Sequence, residues 1–212
     1  MQTYDSVRVL NVNEPRRSPR GSDRKRDPER TRERILEAAL IEFGEHGFAG
    51  ARISAIAGRA GVNEQLISYY FDGKEGLYGA LEQRWQVTSA AASRPELTLA
   101  DVTTAFLRLN IEQRSFARLL AWDGLGDSGS DPAEQDQYFT EMVEDVRRRQ
   151  RAGELADDLD PSYVLLMFFA ATFAPTVIPQ IVRRLTGLAA DSPTFQAAYA
   201  EQLRRVIERL AD

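Results

Sequence analysis

Cysteine is absent from all 212 residues, and histidine occurs once, at His46. The first absence removes disulfides, thiolate nucleophiles and zinc–thiolate sites. The second removes any site that needs two imidazoles, among them most zinc hydrolases and the two-histidine non-haem iron sites. No segment alternates apolar and polar residues at period two, and no internal repeat occurs, so neither a sheet nor a solenoid is expected. Met1 to Pro15 has no basic run followed by a continuous apolar one, and is not read as a secretion signal. Carboxylate chemistry survives these exclusions. Yet Asp123, Asp127 and Glu141 share no spacing that groups them as an acid/base pair or a metal site. The expectation is no metal, no cofactor and no catalytic residue.

What is present is the profile of an ordinary globular protein, 43% apolar and 28% charged. The net charge of −5 is unevenly spread: residues 1–85 carry 14 Lys/Arg against 13 Asp/Glu, and residues 86–212 carry 13 against 19. Phosphate attraction depends on local patches, so a near-neutral first part joined to an acidic second part permits nucleic-acid binding without requiring it. Tyr163 to Val182 is uncharged and about as long as a membrane-spanning helix. Pro175, Pro179 and Gln180 interrupt it, and the reading is a helix buried nearly all round at the centre of a helical bundle, in a cytoplasmic protein with no membrane partner.

Residues 1–27 read as a disordered basic arm, in whose stretch 16–26 Arg16, Arg17, Arg20, Arg24, Lys25 and Arg26 face only Asp23. Such an arm either follows DNA phosphates or stays solvated. Asp27-Pro28-Glu29 has the order of a helix start, and Ile35, Ala39 and Phe43 recur at spacing four until Gly47 stops the helix. Phe48 is expected to fold back onto it. Two short helices follow between Ile53 and Phe71. Asp72-Gly73-Lys74-Glu75 fits a capping box opening a fourth helix that reaches about Ala92. After Arg94-Pro95 the pattern predicts helices over about Leu99–Trp122, Pro132–Arg151, Pro161–Leu188 and Pro193–Leu210. The fold class is all-α.

The segment Ile53 to Asp72 carries the function. Two helices crossing steeply need a small residue where one passes over the other, and Ala57 supplies it. Four positions later the turn needs a residue tolerant of positive φ, which Gly61 supplies. Ile56, Ala60, Val62 and Ile67 fall where the wedge between the helices must be filled, and Asn63 can N-cap the second helix. With an amphipathic helix before it and a further helix after it, this is the spacing of a helix-turn-helix.

The same residues resemble the TetR family of bacterial one-component regulators. The resemblance runs through Ala39 to Phe43, Gly47-Phe48, Ile56-Ala57, Ala60-Gly61-Val62-Asn63, Ile67, Tyr69-Tyr70-Phe71, Lys74-Glu75 and Leu77. It covers about Arg30 to Leu81, a quarter of the chain. It implies an N-terminal three-helix helix-turn-helix domain over 28–75, and a C-terminal helical ligand-binding and dimerisation domain over 76–212, with a helix over 76–92 linking the two. It also implies double-stranded DNA with a palindromic operator as partner, a small-molecule effector, and a homodimer.

By position, the resemblance places Asn63, Glu64, Gln65 and Leu66 at base edges in the major groove. There Gln65 suits adenine, Leu66 a thymine methyl and Glu64 a cytosine amine. Tyr69, Tyr70 and Lys74 are placed at phosphates, with Ser54 beside them. Two departures stand out. Ser68 occupies a position where the family has a phosphate-binding tyrosine, and Arg52 one where it has a Thr or Ser cap. Arg52 either restores a phosphate contact or is a solvated surface residue.

In the second domain the resemblance implies a pocket and a dimer seam. Phe106, Phe116, Trp122, Tyr138, Phe139, Met142, Phe168 and Phe173 are candidate pocket walls for an apolar or aromatic ligand, although each taken singly also reads as core. Val164, Met167 and Ala171, with Ala197, Ala198, Leu203 and Val206, are candidate interface residues. Ligand would favour a state in which the fourth helix pivots and respaces the two recognition helices, releasing a repressor from its operator. A constitutive DNA-binding module without ligand remains an alternative, as does a helical carrier or enzyme.

Overall fold

The computed structural model describes residues 28–126 and 132–211. The basic arm, the Asp27 cap and Asp127 lie outside them. The elements are α1 (Pro28–Gly50), α2 (Ile53–Ala60), α3 (Glu64–Phe71), α4 (Lys74–Ala92), α5 (Leu99–Glu112), α6 (Arg114–Gly124), α7 (Pro132–Arg151), α8 (Pro161–Val177), α9 (Pro179–Thr186) and α10 (Pro193–Glu208).

The first four helices follow the sequence pattern closely. Gly47 breaks α1 (φ 69°, ψ 176°), and Phe48 turns back to stack on Phe43 at 5.9 Å between ring centres. Gly61 takes the left-handed conformation (φ 63°, ψ 42°), and the Val62 N–H reaches back to the Ala57 carbonyl at 3.0 Å. The close turn draws Ile56, Ala57, Ala60 and Ile67 into one buried cluster with Ile35, Phe43, Leu77 and Tyr78. Between α3 and α4 the geometry differs from the capping box that Asp72 and Glu75 predict. Asp72 closes α3 in the left-handed region (φ 59°), its N–H on the Ser68 carbonyl, and α4 starts after Gly73 with no side-chain cap. Only two residues join the helices here, and Asp is among the few non-glycine residues that tolerate that φ. A side-chain carbon at Gly76 would lie 1.8 Å from the Phe71 carbonyl oxygen, which is how closely α4 passes the end of α3.

Beyond α4, two of the predicted helices are each split. The expected Leu99–Trp122 helix breaks at Gln113, where the Gln113 N–H ends α5 on the Leu109 carbonyl and the Gln113 carbonyl starts α6 by accepting from Phe116. No glycine or proline marks this break. It is set by docking, since α6 lies against α1 so closely that a carbon added at Gly44 would sit 2.6 Å from the Ser115 carbonyl oxygen. Phe116 and Leu119 of α6 accordingly belong to the same buried cluster as the helix-turn-helix. The expected Pro161–Leu188 helix breaks at Ile178, and the chain bends 92° into α9. Pro179, which has no N–H to donate, begins α9, while Pro175 stays inside α8.

Nor is α8 buried all round. It shields Val164, Phe168, Thr172 and Phe173 but exposes Tyr163, Leu166 and Met167. No single helix among the described residues is long and apolar enough to cross a membrane. At the far end, the buried Arg149 guanidinium donates to the Leu97 carbonyl (2.6 Å) and to Asp145 (2.7 Å). Glu154 accepts the Leu99 N–H at 2.6 Å, pinning the end of α7 to the α4–α5 turn.

Candidate functional site

The helix-turn-helix presents one face of α3 outward. Ile67 and Phe71 hold its inner side, while Glu64, Gln65, Ser68 and Tyr69 point to solvent and Leu66 and Tyr70 are half-buried. Asn63 Oδ1 accepts the Gln65 N–H at 3.0 Å, so this side chain caps α3. Arg52 precedes α2 in extended backbone with an exposed side chain that makes no cap bond, and its own N–H is taken by Glu42 Oε1 at 3.4 Å. Ser54 is exposed beside it.

Several cations of this head brace it internally. Arg34 donates to the Ala60 carbonyl at the end of α2, and Arg32 lies 5.1 Å over the Phe71 ring. Lys74 sits 4.7 Å over Phe48 and 3.3 Å from the Ala49 carbonyl. Glu42, Glu45 and His46 bring their ligand-capable atoms within 4.8 Å of one another, and Arg59 lies 3.8 and 3.3 Å from the two carboxylates. That group ties α1 to α2. Arg32, Arg34 and Arg59 were not among the residues singled out in the sequence, because bracing depends on a partner that spacing alone does not locate.

The candidate pocket residues divide between two small cavities of about 60 Å³ each. Phe106, Tyr138, Met142, Phe168 and Phe173 line an outer one, between α4, α5, α7 and α8. Phe116, Tyr138 and Phe139 line an inner one with Tyr78, Leu119, Leu120 and Asp123. Trp122 lines neither. On α6 the residues facing the inner cavity are 116, 119, 120 and 123, the i, i+3, i+4, i+7 stripe, and 122 lies off it. The residues the sequence reading missed are Trp85 and Phe169, which with Tyr138 form a wall common to both cavities. Trp85 stacks on Phe116 at 4.0 Å and Phe169 on Phe173 at 4.5 Å. Burial pushes the Tyr138 phenol above its ordinary pKa, partly offset by hydrogen bonds involving Ser89 and Trp85, so it is neutral at pH 7. An open cleft of about 770 Å³ between α4 and α7 adjoins the outer cavity, sharing Phe106, Tyr138, Met142 and Asp145 with it.

Tyr78 connects this region to the head. Its ring meets Phe43 and Phe48 edge-on at 5.3 and 5.2 Å, and its hydroxyl donates to Asp123 at 2.6 Å.

Of the candidate interface residues, Val164 and Leu203 are 1% and 8% exposed and belong to the protomer's own core. Ala171 is half-buried and its carbonyl accepts from Tyr199 at 3.1 Å. Val164 and Leu203 are corrected to internal packing, whereas Ala171 keeps part of its surface. Met167 and Val206 are 53% and 54% exposed, and Ala197 and Ala198 are exposed with them. Tyr163, Leu166 and, on α9, Ile181 and Leu185 add apolar area the sequence reading did not assign. An apolar helix has no phase in its sequence, so which stripe turns inward is decided by the neighbours it meets.

Two family models match this chain: "Bacterial regulatory proteins, tetR family" over residues 35–81, and "Tetracyclin repressor-like, C-terminal domain" over residues 98–209. The chain belongs to the TetR family. It is similar to the HTH-type transcriptional repressor SCO4008 of Streptomyces coelicolor, 32% identical over 187 residues that span 84% of this chain and 96% of the relative. It is also similar to the HTH-type transcriptional regulator RutR of Escherichia coli K12, 28% identical over 82% of this chain and 86% of that one. A solved structure, the putative transcriptional regulator SCO4942 from Streptomyces coelicolor, superposes with a TM-score of 0.68 at 26% identity, covering 84% of this chain and 97% of that one. The protein is therefore a DNA-binding transcription regulator and not an enzyme. As a TetR-family member it has an N-terminal helix-turn-helix and a C-terminal helical domain, the class whose regulators bind operators and small effectors as dimers.

Proposed function

We propose that this protein is a homodimeric repressor that grips a palindromic operator with α3 of each protomer and is released by a small ligand in the two-lobed aromatic cavity. The observation that carries this reading is the course of α4. One continuous helix contributes Leu77, Tyr78 and Leu81 to the head's core, and then Trp85 to the wall shared by both cavity lobes. A ligand that displaces Trp85 acts on a rigid lever whose other end lies inside the DNA-binding head. Its effect equals its differential affinity for the operator-bound and released states.

At the operator, Gln65 and Leu66 are assigned to base edges, with Glu64 favouring cytosine, and Asn63 to capping. Tyr69, Tyr70, Ser68, Ser54, Arg52 and Lys74 are assigned to the phosphate backbone. The exposed apolar surface of Tyr163, Leu166, Met167 and Val206 is assigned to the dimer seam, since such patches on α8 and α10 exceed what scattered surface residues require.

The test is to screen compounds for those that raise the protein's melting temperature and then titrate labelled operator with each bound compound. Weaker operator binding with an unchanged dimer is expected. Bound compounds that all leave operator affinity unchanged would favour the constitutive module instead.

A further inference from the structure

The charges around the cavity specify the ligand more narrowly than its aromatic walls do. Among the described residues lining the two lobes and the cleft, the formally charged side chains are Glu82, Asp123, Glu141 and Asp145. Among the described residues, no Lys, Arg or His lines any of the three. Glu141 and Asp145 stand together at the cleft, where α7 faces the glutamines 83 and 86 of α4. Glu141 accepts a hydrogen bond from Gln137 at 3.0 Å, a neutral partner. Asp145 also contacts Arg148 and Arg149 of its own helix, but Arg149 is buried and committed to the Leu97 carbonyl and Glu154. Neither arginine lines the cavity or the cleft.

An anion entering this cleft would exchange water for carboxylates and aromatic faces, both of which repel it. A neutral ring would gain burial alone. A cation gains from both features, because ring faces and carboxylates both attract positive charge. Each lobe, at about 60 Å³, exceeds the roughly 10–15 Å³ a single water needs but is smaller than the roughly 150 Å³ of a cavity that holds benzene, so an aryl group enters from the cleft by displacing a wall side chain such as Trp85.

Building on the effector reading above, we infer that the ligand is an aryl or arylalkyl ammonium cation. Its ring enters against Trp85, Tyr138 and Phe169, and its charge remains near Glu141 and Asp145. The mouth thereby selects charge while the lobes select an aromatic body. A regulatory half in which acids outnumber bases by 19 to 13 draws such a cation in from solution.

The experiment uses the full chain and three matched probes in isothermal titration at fixed salt: benzyltrimethylammonium, its uncharged isostere neopentylbenzene, and phenylacetate. Quenching of Trp85 fluorescence, isolated by a Trp122→Phe background, reports entry into the cavity. The ammonium is expected to bind ~10-fold or more tightly than the isostere, with phenylacetate weakest. Glu141→Gln, at an exposed position, is expected to weaken ammonium binding about 3- to 10-fold and leave the isostere unchanged. Equal or tighter binding of neopentylbenzene or phenylacetate, or an ammonium affinity indifferent to Glu141→Gln, would overturn the charge assignment and leave the cavity reading standing. Failure of all three probes to bind or quench would overturn both.

Discussion

In the head, Ile35, Phe43, Ile56, Ile67, Leu77 and Tyr78 are all fully shielded from water and share a single cluster. Among the described residues the regulatory half's buried side chains form three smaller clusters; the outer cavity borders the first of them at Leu99, Val146 and Phe168, and the inner one borders the head's cluster at Tyr78, Phe116 and Leu119. The head must hold α3 at one angle, and tight packing fixes that angle. The other half gives up packing to keep room for a guest, so it is the softer partner. The two meet through α6, whose Phe116 and Leu119 pack inside the head although the sequence places them well within the ligand domain. Packing therefore draws the boundary differently from the division at residues 75 and 76.

The sharpest way to break this comparison is to make equal truncations in both halves. Leu77→Ala, in the fully buried head, is expected to cost about 4–5 kcal/mol, against about 2–3 for the similarly buried Leu99→Ala beside the outer cavity, measured by urea unfolding. Similar losses at both positions would remove the contrast. Next, Gly76→Ala should lower head stability by about 3 kcal/mol, because its new carbon meets the Phe71 carbonyl and backbone cannot move cheaply; an unchanged midpoint would mean that α4 does not pass α3 so closely.

Tyr78→Phe tests the joint itself. Removing the hydroxyl that reaches Asp123 should cost about 1–3 kcal/mol in stability and reduce the ratio of operator affinities without and with ligand. A variant with that ratio intact would show that the bond is structural only. Arg52→Ala confines its effect to the head: operator affinity should fall while its salt slope drops by about 1, with ligand binding untouched. An unchanged slope would return Arg52 to the solvated surface.

The smallest effect is expected at Asp101, which accepts from Arg204 at 2.8 Å and Thr98 at 2.8 Å, and is held by them below its ordinary pKa. A depressed carboxylate stabilises the fold above its unfolded value and loses that contribution as pH falls through its lower folded value. Asp101→Asn should thus destabilise by on the order of 0.2–1 kcal/mol at pH 7, since both partners are over a third exposed, and the difference should fade as pH falls below 3.8.

The head was largely legible in the sequence because its determinants are local. Ala57, Gly61 and Asn63 act within a few residues of themselves, and the structure uses each as its position predicts. The failures have a common cause. Asp72 fits both a capping box and a left-handed helix end, and only the closeness of Phe71 to Gly76 decides between them. The break at Gln113 carries no local signal because α1 imposes it from outside. In the site, Trp122 and Trp85 are alike as residues, and only the rotation of α6 and the length of α4 place the second in the wall. Val164 and Met167 are equally apolar, yet one faces α5 and α10 and the other solvent.

The most direct test of the account is selection of binding sites from a random duplex library by the purified full-length protein. Two copies of α3 held in a symmetric dimer predict an enriched palindrome, with half-site centres separated by a whole number of helical turns, about 34–36 Å or a multiple of it. Enrichment of a single asymmetric half-site, or of no sequence at all, would contradict the dimeric operator-binding reading.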